Sequence, residues 1–204
     1  MQKAGVILLI LLMGLPILLS AQDYNDPSVE TDWDDYKYEL YAAGDQTFIV
    51  TLGVAFPAAF LNQGDTISHQ ISPPIGGSGS LIYNYYFSSR FFAGIEVSGI
   101  FLPTLGGNTL FLIPVGIRVG TQFITGRFEF PIAATVGVSW HRYLNFGHVG
   151  IYMKASASAF YRVTSSWAYG VTASWYVLPQ WTGNKRENVI GNVATFTLSA
   201  RYHF

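Results

Sequence analysis

The chain has 204 residues, 50% of them apolar, 16% aromatic and only 11% charged, with no cysteine and a formal net charge of −1. Soluble domains carry about 25% charged residues, so this composition excludes an ordinary soluble surface, and equally a disordered chain, which is charge-rich and aromatic-poor. The near-neutral balance excludes the basic excess of a nucleic-acid binder, and the lack of cysteine excludes disulfides, thiolate chemistry and a lipid-modified N-terminal cysteine. In chain order, the first element is Lys3 followed by an apolar run from Ala4 to Leu19 and the small residues Ser20 and Ala21. This is the pattern of a secretory signal peptide over residues 1–21, cleaved after Ala21. The run lies at the short end of the roughly 17 to 25 residues that a spanning helix needs, and Pro16 interrupts its last turns.

Residues 22–45 hold eight acids and one base, a net of −7, whereas residues 46–204 carry a net of +5. The boundary near Gly44–Gln46 therefore separates two unlike pieces. In the acidic piece, Asp26-Pro27 reads as an N-cap with proline at the first helical position. Val29, Trp33, Tyr36 and Leu40 follow at helical spacing. Tyr36, Tyr38 and Leu40 also alternate, which fits a short strand. The helix is the better-supported reading of a short acidic segment that is solvated and, on the signal-peptide argument, periplasmic.

From Gln46 onward the period is two. Phe48, Val50, Leu52, Val54 and Phe56 form the first apolar face, and Leu81, Tyr83, Tyr85 and Phe87 the second. Phe91, Ala93, Ile95, Val97 and Phe101 form the third, and Phe111, Ile113, Val115, Ile117 and Val119 the fourth. Alternating residues from Phe128 to Trp140, Val149 to Tyr161, Trp167 to Val177 and Ala194 to Phe204 supply the remaining four. Glu96, Arg118, Arg127, Glu129, Lys154, Arg162 and Arg201 all fall on the opposite parity, among Gly, Ser and Thr. A soluble sandwich would need charge on its polar face at every strand, whereas a narrow interior needs small residues. Connections read as alternately tight (Ser88–Arg90, Ile124–Gly126, Thr164–Ser166) and longer (Pro57–Ile75, Pro103–Thr109, Leu144–His148, Pro179–Gly191), as in membrane barrels. Closure leaves no unpaired strand edge facing lipid. The predicted fold is all-β: an eight-stranded antiparallel transmembrane β-barrel over residues 46–204.

The last strand, Phe196-Thr-Leu-Ser-Ala-Arg-Tyr-His-Phe204, ends on a terminal aromatic. With the signal peptide, it resembles the end of a bacterial outer-membrane protein, and the barrel resembles the small OmpA and OmpW type. The resemblance implies that Tyr202 and Phe204 are read by the barrel-assembly machinery, and that periplasmic chaperones and outer-membrane lipid are partners of a monomer. It also implies a periplasmic N-terminal segment and C-terminus, with the long loops extracellular. Phe87, Phe91, Phe128, Tyr161, Trp167, Tyr202 and Phe204 would form one aromatic girdle, and Phe56, Trp140 and Trp175 the other.

An eight-stranded barrel is just wide enough for its own side chains, so an open diffusion pore is not expected. Glu96, Arg118, Glu129, Lys154 and Arg201 form a candidate lumen charge cluster, with Glu96 diagonal to Arg118 and Glu129 reaching Arg118 from the other side. Such a set is either a charge gate or, the better-supported reading, a paired plug. Pro114 and Pro131 lie on the lumen parity of neighbouring strands, where each removes a ladder hydrogen bond. If they share a depth they would open a lateral seam. In OmpW-like barrels such a seam is associated with exit of small apolar molecules, here past Ile49, Ile82, Ile100 and Leu112. Two ordinary bulges are the plainer alternative.

Asp65, Ser68 and His69 share one loop and His141 and His148 flank another, but neighbours in a loop are not a catalytic triad. Four scattered histidines without carboxylate or cysteine spacing suggest no metal site, and no cofactor motif is present. The sequence thus points to a non-enzymatic outer-membrane barrel giving narrow or gated passage, or binding, to small and in particular apolar solutes. One alternative is a surface-exposed structural or adhesive protein whose loops, including Trp181, Lys185 and Arg186, meet host or surface ligands. The second is a small lipid-modifying enzyme.

Overall fold

Each period-two run becomes one long strand. The computed structural model describes residues 41–62, 65–66, 75–103, 109–143, 146–180 and 189–204. The signal peptide and the acidic residues up to 40 lie outside the described residues, as do Ser68, His69, Trp181, Lys185 and Arg186. The strands are β1 (Gln46–Asn62), β2 (Asp65–Thr66), β3 (Gly76–Tyr86), β4 (Phe91–Pro103), β5 (Thr109–Thr125), β6 (Phe128–Tyr143), β7 (Phe146–Arg162), β8 (Trp167–Gln180) and β9 (Val189–His203). β2 is a two-residue extension on the end of β1. The other eight pair antiparallel with their chain neighbours, and β1 pairs β9 to close the ring.

Every predicted face has the predicted phase. Phe48, Leu81, Ile95, Ile117, Val136, Met153, Trp175 and Leu198 are exposed, whereas Thr51, Ser80, Glu96, Arg118, Thr135, Lys154, Ser174 and Ser199 are buried. An apolar exterior around a polar interior inverts the soluble arrangement and matches a bilayer as solvent. Wall strands of 11 to 17 residues meet or exceed the roughly 9–11 needed to cross at a tilt. The molecule is an all-β, closed, eight-stranded antiparallel transmembrane barrel.

Connections 87–90, 126–127 and 163–166, with both ends of the barrel chain, lie at one end, here the turn side. Gly126, at φ 57, closes the tight β5–β6 turn in the left-handed region that a β-carbon disfavours. The opposite, loop side departs from expectation. The strands continue into the segments read as loops: Pro57 lies inside β1, beside a bulge against β9. Pro179 lies inside β8, and Leu144–His148 reduces to the pair Tyr143↔Phe146 with two residues between. Turn composition therefore overestimated three of the four long connections. Pairing with a neighbour already in place carries the ladder past prolines that would end an isolated strand.

At the turn side, Phe87, Phe91, Phe128, Tyr161, Trp167, Tyr202 and Phe204 are exposed around the rim. Trp167 and Tyr202 approach to 5.0 Å and Tyr202 and Phe204 to 5.7 Å between ring centroids. Phe56, Trp140 and Trp175 are exposed toward the loop side. These are the two girdles expected of amphipathic rings at the two membrane interfaces.

Candidate functional site

The lumen is built in layers. At the loop side, Ala55, Ile100, Leu102, Leu112, Tyr152, Tyr176, Leu178 and Val193 form one buried apolar cluster. Ile100 and Leu112, expected in an apolar upper lumen, are part of it. Ile49 and Ile82 instead pack with Phe160 and Ala168 nearer the turn side. Gly116 faces Tyr152; a β-carbon there would lie 2.6 Å from the tyrosine hydroxyl, so a missing side chain makes room for the ring.

Below the apolar layer lies the first charge group. Glu96 is fully buried and accepts from Ser98 at 2.9 Å, Thr135 at 3.2 Å and the Lys154 ammonium. Arg118 approaches it at 3.5 Å and donates to Ser156 at 3.3 Å. The register explains the Glu96–Arg118 contact: Glu96 pairs Gly116 and Arg118 pairs Gly94, so the two are diagonal neighbours, as the sequence suggested. Each of the two cations also meets an aromatic face, Lys154 over Tyr176 at 4.8 Å and Arg118 over Phe92 at 5.6 Å.

Glu129 does not reach Arg118. Glu129 pairs Ile124, and Arg118 pairs Thr135. The two are thus six residues apart along the wall, about 20 Å at the rise of a strand. Glu129 instead accepts from Arg162 Nε at 2.7 Å and pairs with the Arg201 guanidinium. The single cluster expected from sequence is therefore two, one in mid-barrel and one at the turn side. Arg162 is the residue that site reasoning passed over. The signal was present, because Arg162 has the lumen parity and sits diagonal to Glu129 across the pair Glu129↔Phe160. Among the described residues, these two groups set two carboxylates against four cationic side chains.

A further side chain enters from outside the wall. Tyr41, assigned by composition to the acidic segment, is buried in the turn-side mouth, with its hydroxyl donating to Glu129 Oε2 at 2.9 Å. Its ring stacks on Tyr86 at 4.3 Å and lies under Arg162 at 5.2 Å and Arg201 at 5.6 Å. Burial pushes the Tyr41 phenol up to about 12, with Arg201 acting in the opposite sense. Thus at least residues 41–45 work with the barrel, although their charge assigns them to the piece before it.

The prolines do not form a common seam. Pro114 pairs Ser139 and Pro131 pairs Gln122, which puts them eight residues apart in depth, about 26 Å. Between β5 and β6 the ladder is continuous from Leu110↔Tyr143 to Thr125↔Phe128. Each proline interrupts the ladder on its other side. β4–β5 pairing skips from Val97↔Val115 to Ile100↔Leu112, and β6–β7 from Glu129↔Phe160 to Ile132↔Ala157. The reason is the antiparallel pattern, in which one residue bonds only one neighbour; the missing amide belongs to the far seam. The two prolines therefore share no opening.

The candidate enzymatic group lies partly outside the described residues; of its members, His141 is a buried lumen residue on β6. No group of three or more metal-ligating side chains occurs among the described residues. What the site offers is paired charge, aromatic faces and hydroxyls in a narrow enclosure, which can seal, or select for charge.

Comparison with known proteins bears on the fold and the lineage. The model of a Treponema protein family matches residues 23–202. An uncharacterized protein of Treponema pallidum (strain Nichols) is 30% identical over 129 residues, 63% of this chain and 59% of that protein. A second from the same strain is 26% identical over 68 residues, 33% of this chain and 23% of that protein. The alignments therefore span less than two thirds of either relative. Among solved structures, neisserial surface protein A superposes with a TM-score of 0.61 at 10% identity, covering 80% of this chain and 99% of that one. The outer membrane protein OprG from Pseudomonas aeruginosa gives 0.51 at 9% identity, covering 80% and 97%. Both likenesses concern the barrel fold.

Proposed function

We propose that this chain, which belongs to the Treponema protein family matched over residues 23–202, is an integral barrel of the bacterial outer membrane that is closed at rest. It acts by presenting its loop-side end at the surface rather than by open diffusion. The observation that carries this reading is the burial of three successive lumen layers. The Glu129 group at the turn side, the Glu96 group in mid-barrel and the apolar cluster at the loop side are each almost inaccessible to solvent. A conducting lumen would leave its charged side chains hydrated, whereas here Glu96 and Glu129 are each paired with two cations and the cations lie against aromatic faces, with Arg118 Nε and Arg201 Nη1 left without a hydrogen-bond partner among the described residues. The outer-membrane location is supported by the apolar exterior, the two aromatic girdles and the likeness to outer-membrane barrels. In this reading both termini are periplasmic, and Tyr202 and Phe204 serve as the assembly signal.

The test is single-channel recording on the protein purified in its exported form, paired with antibody access to an epitope placed between β8 and β9 on intact cells. Electrical silence with surface labelling is expected. Long-lived open-channel current, or an epitope reached only after the outer membrane is broken, overturns the reading. A second reading, gated passage of small solutes, is favoured by the excess of lumen cations and would give rare, anion-selective openings. The double gap left by the separated prolines lends no support to lateral exit through a single seam.

A further inference from the structure

The turn-side mouth is closed by a side chain that is not part of the wall. Tyr41 is 2% exposed and touches residues from four separate strands: Tyr86 of β3, Glu129 of β6, Arg162 of β7, and Arg201 and His203 of β9. The contacts answer a specific electrostatic need. One carboxylate, Glu129, faces two guanidiniums. An aromatic ring presents negative potential from its face, so a ring beneath both guanidiniums offsets the surplus charge. A hydroxyl on that ring gives Glu129 one more donor. Phenylalanine would meet the first need and not the second; a tyrosine meets both.

The chain before β1 is shaped to deliver this ring. The Asp45 carboxylate accepts from the Ala42 amide at 2.8 Å, and Gly44, at φ 107, donates its amide to the Tyr86 carbonyl at 2.9 Å. The Tyr86 amide returns a bond to the Asp45 carbonyl at 2.9 Å. Asp45 also lies 3.4 Å from His203 on β9. Residues 41–45 thus reverse direction at the rim and turn Tyr41 inward.

We propose that the turn-side mouth is a binding pocket for a phenol, formed by Tyr86, Glu129, Arg162, Arg201 and His203, and that Tyr41 of the same chain is its resident stopper. The pocket recognises a planar ring with one hydrogen-bond donor, held by stacking, two cation–π faces and a carboxylate acceptor. The proposal rests on the closed-lumen reading for the turn-side half alone. The mid-barrel Glu96 layer can keep the channel electrically silent whether or not Tyr41 is in place.

The chain has no cysteine, so a single reporter, Ala133→Cys, can be placed behind the stopper. Ala133 belongs to the same buried cluster as Tyr41, Tyr86 and Phe92. The rate of labelling by a water-soluble maleimide follows the open population when closure is fast. Losing a hydrogen bond to a charged acceptor predicts about tenfold faster labelling in Tyr41→Phe, and a greater increase in Tyr41→Gly. Free p-cresol at millimolar concentration should slow labelling of Tyr41→Gly back to within about twofold of the parent, as one ligand filling one pocket does by mass action. Toluene, which has no donor, should do less. Unchanged labelling in Tyr41→Phe overturns the proposal. So does failure of p-cresol to slow Tyr41→Gly, or toluene acting as well as p-cresol. If Tyr41→Gly does not fold, the Tyr41→Phe rate decides alone. Channel current in the parent would refute the closed-lumen reading without touching the p-cresol result, so the two failures are distinguishable.

Discussion

Replacing Glu96 by Gln removes the carboxylate that, among the described residues, pairs with Arg118 and Lys154 in mid-barrel. The shape of the side chain is nearly unchanged, so packing is not the variable. What changes is charge: two buried cations lose their shared partner, and the new amide points a donor at one of them. Ser98 and Thr135 now compete for a single acceptor oxygen. Removing one member of a buried ion pair costs about 3–5 kcal/mol. With a urea slope of about 2 kcal/mol/M, the unfolding midpoint should fall by about 1.5–2.5 M. The assay is equilibrium unfolding of the protein in lipid vesicles, followed by tryptophan fluorescence. The companion variant sharpens the test. Replacing Glu96, Arg118 and Lys154 together by Leu, Met and Met removes the charges as a set, and should recover most of the loss. A midpoint shift below about 0.3 M for Glu96→Gln would refute the reasoning. It would mean that the three groups are hydrated, and hence that the lumen is open to water.

Two further outcomes are expected. Leu198, 66% exposed on β9 and level with Leu52 and Val171, should not tolerate charge: Leu198→Arg places a guanidinium in lipid and should cost about 2–4 kcal/mol in the same unfolding assay. A cost near zero would place that level at the interface or outside the membrane. Stability should also fall at high pH through Tyr41. Its folded pKa is raised from 10.0 to about 12 by burial, so its contribution is complete below the unfolded value and is lost as pH rises through that interval. Tyr41→Phe should flatten that part of the stability–pH curve, and an unchanged curve would show that the phenol is not buried.

The wall of this barrel was legible because its physics is local. One residue in two faces lipid, so the apolar faces from Phe48 to Phe204 declare the parity of every strand without knowledge of its partner. Glu96 beside Arg118 was also legible, since symmetric pairing of the two strands about the Pro103–Thr109 connection places them on one diagonal. The statements that fail both concern β5 and β6, consecutive strands whose tight turn fixes the register, and they fail because depth has to be counted outward from that turn. Nearness to one turn in sequence suggests a Glu129–Arg118 contact that the register does not allow. Counted from the turn pair Thr125↔Phe128, Glu129 falls opposite Ile124 and Thr135 opposite Arg118, which gives the six-residue separation. The same count separates Pro114, opposite Ser139, from Pro131, opposite Gln122. Their lumen parity was right, but parity carries no information about depth or about which neighbour loses a hydrogen bond.

Tyr41 illustrates a different limit. By composition it belongs with the acids around it, and no periodicity marks it. Its place follows from closure, because the rim it turns over exists only once β1 has paired with both β3 and β9. Its partners are distant in sequence, 88 residues away for Glu129 and farther still for Arg162, Arg201 and His203. The two guanidiniums offered a hint. A carboxylate flanked by Arg162 and Arg201 leaves one positive charge without a partner inside a wall of low polarity. Some group must offset it, and the wall at that level supplies rings such as Phe160, over which Arg201 also lies at 4.4 Å, but no second carboxylate among the described residues. The charge imbalance in the lumen is therefore what selects the residue that closes it. An aromatic donor delivered ahead of β1 lies against both cations without adding a second buried carboxylate, which would itself need desolvation.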